Sequence, residues 1–308
     1  MQLLRGRTTG MRQLAISPDG RYLVAGATRC DVWDLHDPKA KPRAIPTGEP
    51  PKLGRDVQFL NATQLFVNTA LPPGWFRHDL ESGVTTDLAR PPALPWETIC
   101  VQPPEGLLRV TSRRGGVFNE MVSYRVLSNA VELLCAHTTG PLIGQLYGFS
   151  PSGTHYLARA ELGGEYGVKY HLYDASTDHV VATFMRPGAY EIDTRTWRFR
   201  PDGREVYMAG ISQLLRYDCA AGGLPRVEMA LSKSLAYTIP PLAIHPDGRL
   251  LATVEDGRVA TFRDAETLEV LRRYDFAMPT VTWVAFTPDG TRCVIGNTRG
   301  KVLLFDVE

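Results

Sequence analysis

The sequence predicts an all-β fold: a single seven-bladed β-propeller over residues 1–308, built of four-stranded antiparallel blades. Three observations carry that expectation. A short unit recurs along the chain, its period lies in the low-to-mid forties, and an aspartate closes the third apolar run of nearly every copy. The unit is clearest in "LAISPDGRYLVAG" at 14–26 and "VAFTPDGTRCVIG" at 284–296. It returns as "LAIHPDGRLLATV" from Leu242, "WRFRPDGREVYMA" from Trp197 and "YGFSPSGTHYLAR" from Tyr147.

The period follows from the turn glycines Gly20, Gly106, Gly153, Gly203, Gly248 and Gly290. A degenerate copy, "VQFLNATQLFVNT", fills the first long gap with Asn61 to Thr63 at its turn. Counting Thr63, successive spacings are 43, 43, 47, 50, 45 and 42 residues. Repeats of that length are the mark of four-stranded propeller blades. Seven copies fill the chain and leave no room for a second domain.

Each copy holds four runs. The first, such as "QLAIS", leads into Pro-Asp-Gly, where the fixed φ of proline and the permissive glycine suit a tight turn. A second apolar run follows, as in "RYLVAG" or "RLLATV". The third ends in Asp34, Asp79, Asp174, Asp218, Asp264 or Asp306; only the third copy departs, with Arg125 in "SYRVL". The fourth run reads "AVELLCAH", "HVVATFM" or "EVLRRYDF". Short runs rich in Val, Leu, Tyr and Phe, punctuated by Gly, Pro, Asp and Asn, argue strands. Recurrence of the aspartates at one place in six of the seven copies points to turn-capping hydrogen bonds, not acid–base chemistry.

Trp33-Asp34, the six terminal aspartates and the SPDG-type turn resemble the WD-repeat family of seven-bladed propellers over essentially the whole chain. In that family a Gly-His pair precedes each blade, and its His joins a buried network with Ser or Thr, Asp and Trp. Here Gly6-Arg7 stands in that place, and only Trp33 supplies the Trp. The resemblance therefore implies the fold, with blades held mainly by apolar packing. The last copy ends after "GKVLLFDVE" without a fourth run, and "MQLLRG" stands unassigned ahead of the first. Pairing the two would close the ring and satisfy both edges, so the chain is expected to be complete as it stands.

Composition narrows the classes of function. Hydrophobic content of 44%, charged content of 22% and a net charge of +1 are ordinary for a soluble domain and give no global pull toward nucleic acid or membrane. Of 34 basic residues 28 are Arg. No run approaches the ~18 apolar residues of a membrane span. Five cysteines, scattered and unpaired in sequence, suggest no disulfide framework and no zinc site. A cytoplasmic monomer without cofactor is the expectation.

Seven scattered histidines show no metal spacing, and no nucleophile elbow or phosphate loop occurs. Glu120, Glu165, Glu191 and Asp193 could line a channel metal site, but loop carboxylates are usually just solvated. Arg195 and Arg198 form a local basic feature. The loops between second and third runs are expanded at 69–75, 111–120 and 158–170. They and the connections at 89–98 gather Trp75, Trp96, Arg113, Arg114, Phe118 and Tyr166, types enriched at protein interfaces. Those six residues are the expected partner-binding patch. The expected function is a non-enzymatic scaffold presenting a rigid loop face to a protein or peptide. The alternative is a propeller hydrolase or lyase, lactonase-like, with a site at the channel mouth.

Overall fold

In the computed structural model the described residues are 1–6, 11, 13–26, 30–37, 39, 41–45, 54–70, 73–88, 97–102, 107–114, 117–126, 131–137, 146–159, 168–186, 196–210, 213–223, 225–230, 241–278 and 280–307. Among them there is no helix, and so none long and apolar enough to cross a membrane. They form 28 strands in seven four-stranded antiparallel sheets.

The first sheet runs β2 (Gln13–Ile16), β3 (Tyr22–Gly26), β4 (Cys30–Asp34) and β5 (Arg43–Ile45). The second holds β6 (Gly54–Phe59), β7 (Gln64–Ala70), β8 (Pro73–Asp79) and β9 (Thr85–Leu88). The third holds β10 (Glu97–Gln102), β11 (Leu107–Arg114), β12 (Val117–Val126) and β13 (Val131–His137). In the fourth lie β14 (Leu146–Phe149), β15 (His155–Arg159), β16 (Val168–Asp174) and β17 (Val180–Arg186). The fifth is β18 (Trp197–Phe199), β19 (Glu205–Ala209), β20 (Gln213–Asp218) and β21 (Val227–Ala230). The sixth is β22 (Leu242–Ile244), β23 (Leu250–Glu255), β24 (Val259–Asp264) and β25 (Val270–Asp275). The seventh joins the chain ends: β26 (Val281–Phe286), β27 (Arg292–Asn297) and β28 (Lys301–Asp306), with β1 (Gln2–Arg5) antiparallel on β28.

The turns obey local chemistry. In the first hairpin Asp19 accepts the Arg21 N–H, and Gly20 sits at φ +77°. Asp202, Asp247 and Asp289 repeat the bond to Arg204, Arg249 and Thr291. In the degenerate second copy Asn61 does the same work, accepting from the Thr63 and Gln64 N–H groups. After the third strand the terminal aspartate accepts N–H bonds from the next residues: Asp79 from Glu81 and Ser82, Asp174 from Ser176 and Thr177, Asp264 from Glu266 and Thr267. These bonds favour the ionised carboxylate. They hold Asp79 and Asp264 below the usual range, and with the Ser176 hydroxyl lower Asp174 to about 2.

The core is divided into seven apolar clusters, each between neighbouring sheets. Leu4, Leu23, Trp33, Trp283 and Val302 join the seventh sheet to the first; Tyr147, Tyr170, Trp197 and Tyr217 join the fourth to the fifth. Each sheet is thus buried on both faces by its neighbours.

Apolar packing is not the whole of it, against the expectation from sequence. The carbonyl just past a terminal aspartate accepts a side-chain bond from the preceding sheet at several seams. Arg292 reaches Leu35 at 3.1 Å, Arg43 reaches Leu80 at 3.1 Å and Arg109 reaches Ala175 at 2.8 Å. Arg216 bonds to Glu266, beside the Tyr207 hydroxyl at 3.0 Å from the Ala265 carbonyl. A guanidinium suits this role because it stays charged when buried and offers several donors in fixed directions.

Candidate functional site

The sixth sheet differs along its outer edge from the first, second, fourth and seventh. β25 is paired on one side only, and all six of its residues are exposed. Its sequence explains the position: Asp264 caps the preceding turn, Leu268 takes φ +62° with its side chain fully buried, and the chain then runs out beside β24. A bulge between Phe262 and Arg263 leaves Leu271 without a register partner. Val270, Leu271 and Tyr274 are 41%, 56% and 39% exposed. The other described outer strands β5, β9 and β17 each bury at least one residue.

Behind this edge lies a small cleft of about 130 Å³. Phe262, Tyr274 and Phe305 line it together with Leu271, Arg272 and Asp306. The rings support one another: Phe262 and Tyr274 meet edge-on at 5.7 Å, and Phe276 lies 4.9 Å from Phe305. The register places Arg272 opposite Phe262 and Tyr274 opposite Ala260, hence on the cleft side. Arg273 lies opposite Thr261, on the other face. There Arg273 approaches Glu255 at 3.6 Å while its side chain stays 57% exposed. The lining is largely apolar and carries charge of both signs through Arg272 and Asp306.

A second cleft, about 440 Å³, opens between the first and second sheets. Arg21, Lys41 and Arg43 face Asp34, Asp37 and Glu81 across it. Arg21 already bonds Asp34 at 3.2 Å and approaches Glu81 at 3.9 Å, and Arg43 donates to the Leu80 carbonyl at 3.1 Å.

Four of the six residues expected to form one patch are described. Trp75 is a correction: it is 2% exposed, packed edge-on against Phe66 at 5.4 Å between the second and third sheets. In the segment expected as a loop, the described residues 69, 70 and 73–75 continue the β7–β8 pairing, which turns the indole into the core. Arg113, Arg114 and Phe118, also expected in a loop, stand in β11 and β12, where Arg113 pairs with Phe118 and Arg114 with Val117. Period-two strand pairing thus reaches further than the glycines at 115–116 suggested. Trp96 and Tyr166 lie outside the described residues, as do Glu165, Glu191, Asp193 and Arg195. Glu120 stands in β12 opposite Ser112, and Arg198 in β18 donates to the Trp197 carbonyl.

Groups capable of chemistry are placed structurally. His78 is buried against Thr85 at 2.8 Å and His171 sits 2.9 Å from Thr183, and burial lowers both imidazoles below their ordinary range. His245 fills a hairpin turn, its Nε2 2.9 Å from the Gly290 carbonyl of the next sheet. Cys293 is buried with its thiol pushed up by desolvation, and burial raises Cys219 to about 12. Among the described residues no group of three His, Cys, Asp or Glu is placed to hold a metal ion.

Sequence reasoning missed two elements: the β25 edge and the buried charge clusters at the seams. The signal for the first was present, since "EVLRRYDF" places apolar residues at alternate and adjacent positions with no Gly or Pro to protect them. Sheets of this kind define a propeller-like all-β protein. No family model and no curated protein matches the chain. Among solved structures it is similar to hydrazine synthase of Kuenenia stuttgartiensis, at 15% identity and a TM-score of 0.70, over 98% of this chain and 97% of that one. The likeness shows the fold alone. With 1606 solved chains matching, the fold by itself selects no activity.

Proposed function

We propose that the chain is a single WD-repeat-like propeller of seven blades, closed by β1 on the C-terminal blade, and that it acts as a non-enzymatic scaffold for a protein or peptide. In this reading it is a cytoplasmic monomer whose rigid seams hold a binding surface in fixed shape. The observation that carries the reading is the concentration of exposed apolar side chains on β25 beside a ready-made aromatic cleft, because an edge strand is normally blunted or covered. Trp96, Arg113, Arg114, Phe118 and Tyr166 remain a second proposed contact region on the loop face.

Two experiments test it. Deleting residues 1–6 removes the partner of β28, and a markedly lower melting temperature with aggregation is expected; an unchanged melting curve would remove ring closure. Cross-linking in a cell extract, followed by comparison of wild type with a Leu271→Glu, Tyr274→Glu variant, should show a partner lost from the variant. Identical cross-linked species from both proteins would take the function away from this surface.

A further inference from the structure

We infer that the seam between the fifth and sixth sheets holds a buried water, bound by the hydroxyls of Thr253 and Thr261. This goes beyond the scaffold reading and does not depend on it. Thr253 in β23 and Thr261 in β24 stand directly opposite one another in the ladder. Both are 0% exposed, and among the described residues neither hydroxyl has a hydrogen-bond partner, not even the other. Burying a hydroxyl without a partner is costly, so such groups in folded proteins are nearly always satisfied by protein or by ordered water. Two of them on facing residues of one row point to a shared guest.

Strand alternation decides which way the pair points. Ala252, Val254, Ala260 and Phe262 pack toward the seventh sheet. Leu251, on the other face of β23, packs with Tyr207, Ala209 and Leu214 of the fifth. Thr253 and Thr261 therefore enter the fifth–sixth seam. Glu255 and Arg263 share that face, each two residues beyond a threonine, and antiparallel pairing sets them on opposite sides of the threonine row. Their ion pair, Arg263 Nη2 to Glu255 Oε1 at 2.5 Å, thus crosses the row. Arg273, opposite Thr261, approaches the other Glu255 oxygen at 3.6 Å. The guest must bond two hydroxyls, each able to donate or accept, beside charges already matched to one another. A cation is opposed by Arg263 and Arg273, and an anion by Glu255. A neutral molecule that donates and accepts, with the size of water, suits both.

Crystals of the full-length chain soaked in bromide test the site directly. A density peak within hydrogen-bonding distance of both Oγ1 atoms, without anomalous signal at the bromine edge, is expected. An anomalous peak there would make the guest a halide and overturn the inference. So would two hydroxyls bonded to each other or to backbone carbonyls with no peak between them.

Valine matches the shape of threonine without the hydroxyl, so the sign of its effect is a second test. With water bound, Thr253→Val, Thr261→Val loses the water's hydrogen bonds, and the urea midpoint should fall by about 0.5 M. In a dry seam the same change removes two unsatisfied groups, and an unchanged or higher midpoint would defeat the proposal. Should the double variant fail to fold, oxygen-17 relaxation dispersion still decides. Thr261→Val should hold one long-lived internal water fewer than wild type, and equal numbers would count against the site.

Discussion

The seam between the fifth and sixth sheets and the seam between the sixth and seventh solve one problem in opposite ways. In the first, Glu205 sits among Arg200 at 3.0 Å, Arg216 at 3.4 Å and the Tyr207 hydroxyl at 2.9 Å. Arg216 and Tyr207 also reach carbonyls of the next sheet, and Leu268 plugs the space beneath them. In the second seam the interior is apolar, with Phe262, Phe286, Phe305 and Val281, and its outer end at Asp306 and Val307 opens into the cleft. A carbonyl just past a terminal aspartate is the point stapled at other seams. Where charges lock the outer end the seam is closed, and where aromatic rings fill it a small cleft stays open.

Removing one partner of the charged seam should produce the largest effect. Arg216→Ala leaves Glu205, whose side chain is 9% exposed, with Arg200 and the Tyr207 hydroxyl alone, and a loss of about 3 kcal/mol is expected because a buried charge loses its buried guanidinium partner. The double variant Arg216→Met, Glu205→Leu should recover part of that loss, since it removes the buried carboxylate together with its partner and leaves Arg200, 31% exposed, to solvent. Phe305→Ala in the aromatic seam should cost a similar amount through lost packing, with no second substitution that recovers it by removing charge. Urea unfolding of the four proteins decides the matter: a double variant as unstable as Arg216→Ala would show that the seam is held by packing, as its neighbour is.

A smaller effect is expected at the turn after the third strand, where the fourth residue after the aspartate takes positive φ. It is Gly83 and Gly222 in the second and fifth sheets, but Asp178 and Leu268 in the fourth and sixth. The two side chains accept backbone strain to enter a seam: Asp178 lies 3.7 Å from Arg109 and accepts the Tyr156 hydroxyl at 3.1 Å, and Leu268 is fully buried. Leu268→Gly loses a buried side chain but relieves ~1–2 kcal/mol of left-handed strain, so the net loss should be only about 1–2 kcal/mol. A loss as large as that of an ordinary buried Leu→Ala change, read from the shift in urea midpoint, would show that the turn is unstrained.

The smallest expected effect is with pH. His78 and His171 have imidazoles lowered by burial, so the unfolded chain binds more protons than the folded one below the ordinary value of 6.5. Their contribution is present above that pH and is lost as pH falls through it. For Asp174, lowered to about 2, stability is present above its ordinary value of 3.8 and is lost as pH falls toward 2. Melting temperatures should therefore decline in two steps on acidification, and His78→Gln should diminish the upper one. Because neither seam compared above contains these groups, Arg216→Ala should leave both steps in place.

The repeat is the part of this protein that the sequence determined by itself. Turn geometry is local: Pro-Asp-Gly and the terminal aspartate satisfy their own neighbours' N–H groups, so four strands per copy and their register could be read from spacing and alternation. Asn61 shows how far this goes, since a degenerate copy still caps its turn. The fate of side chains was not local. Trp75 read as an exposed loop residue because Pro72, Pro73 and Gly74 signal a turn, yet pairing with β7 carried the strand through Pro73 and Gly74 and buried the indole. The arginine excess had no meaning along the chain; it acquired one when neighbouring sheets brought Arg43, Arg109, Arg216 and Arg292 to carbonyls up to 257 residues away. Likewise "EVLRRYDF" looked like any fourth strand, and only packing against the seventh sheet left it exposed beside a cleft. Hydrogen bonds within a turn are fixed by residues a few positions apart, whereas burial and charge pairing depend on which surfaces meet, and that is settled only when the sheets assemble.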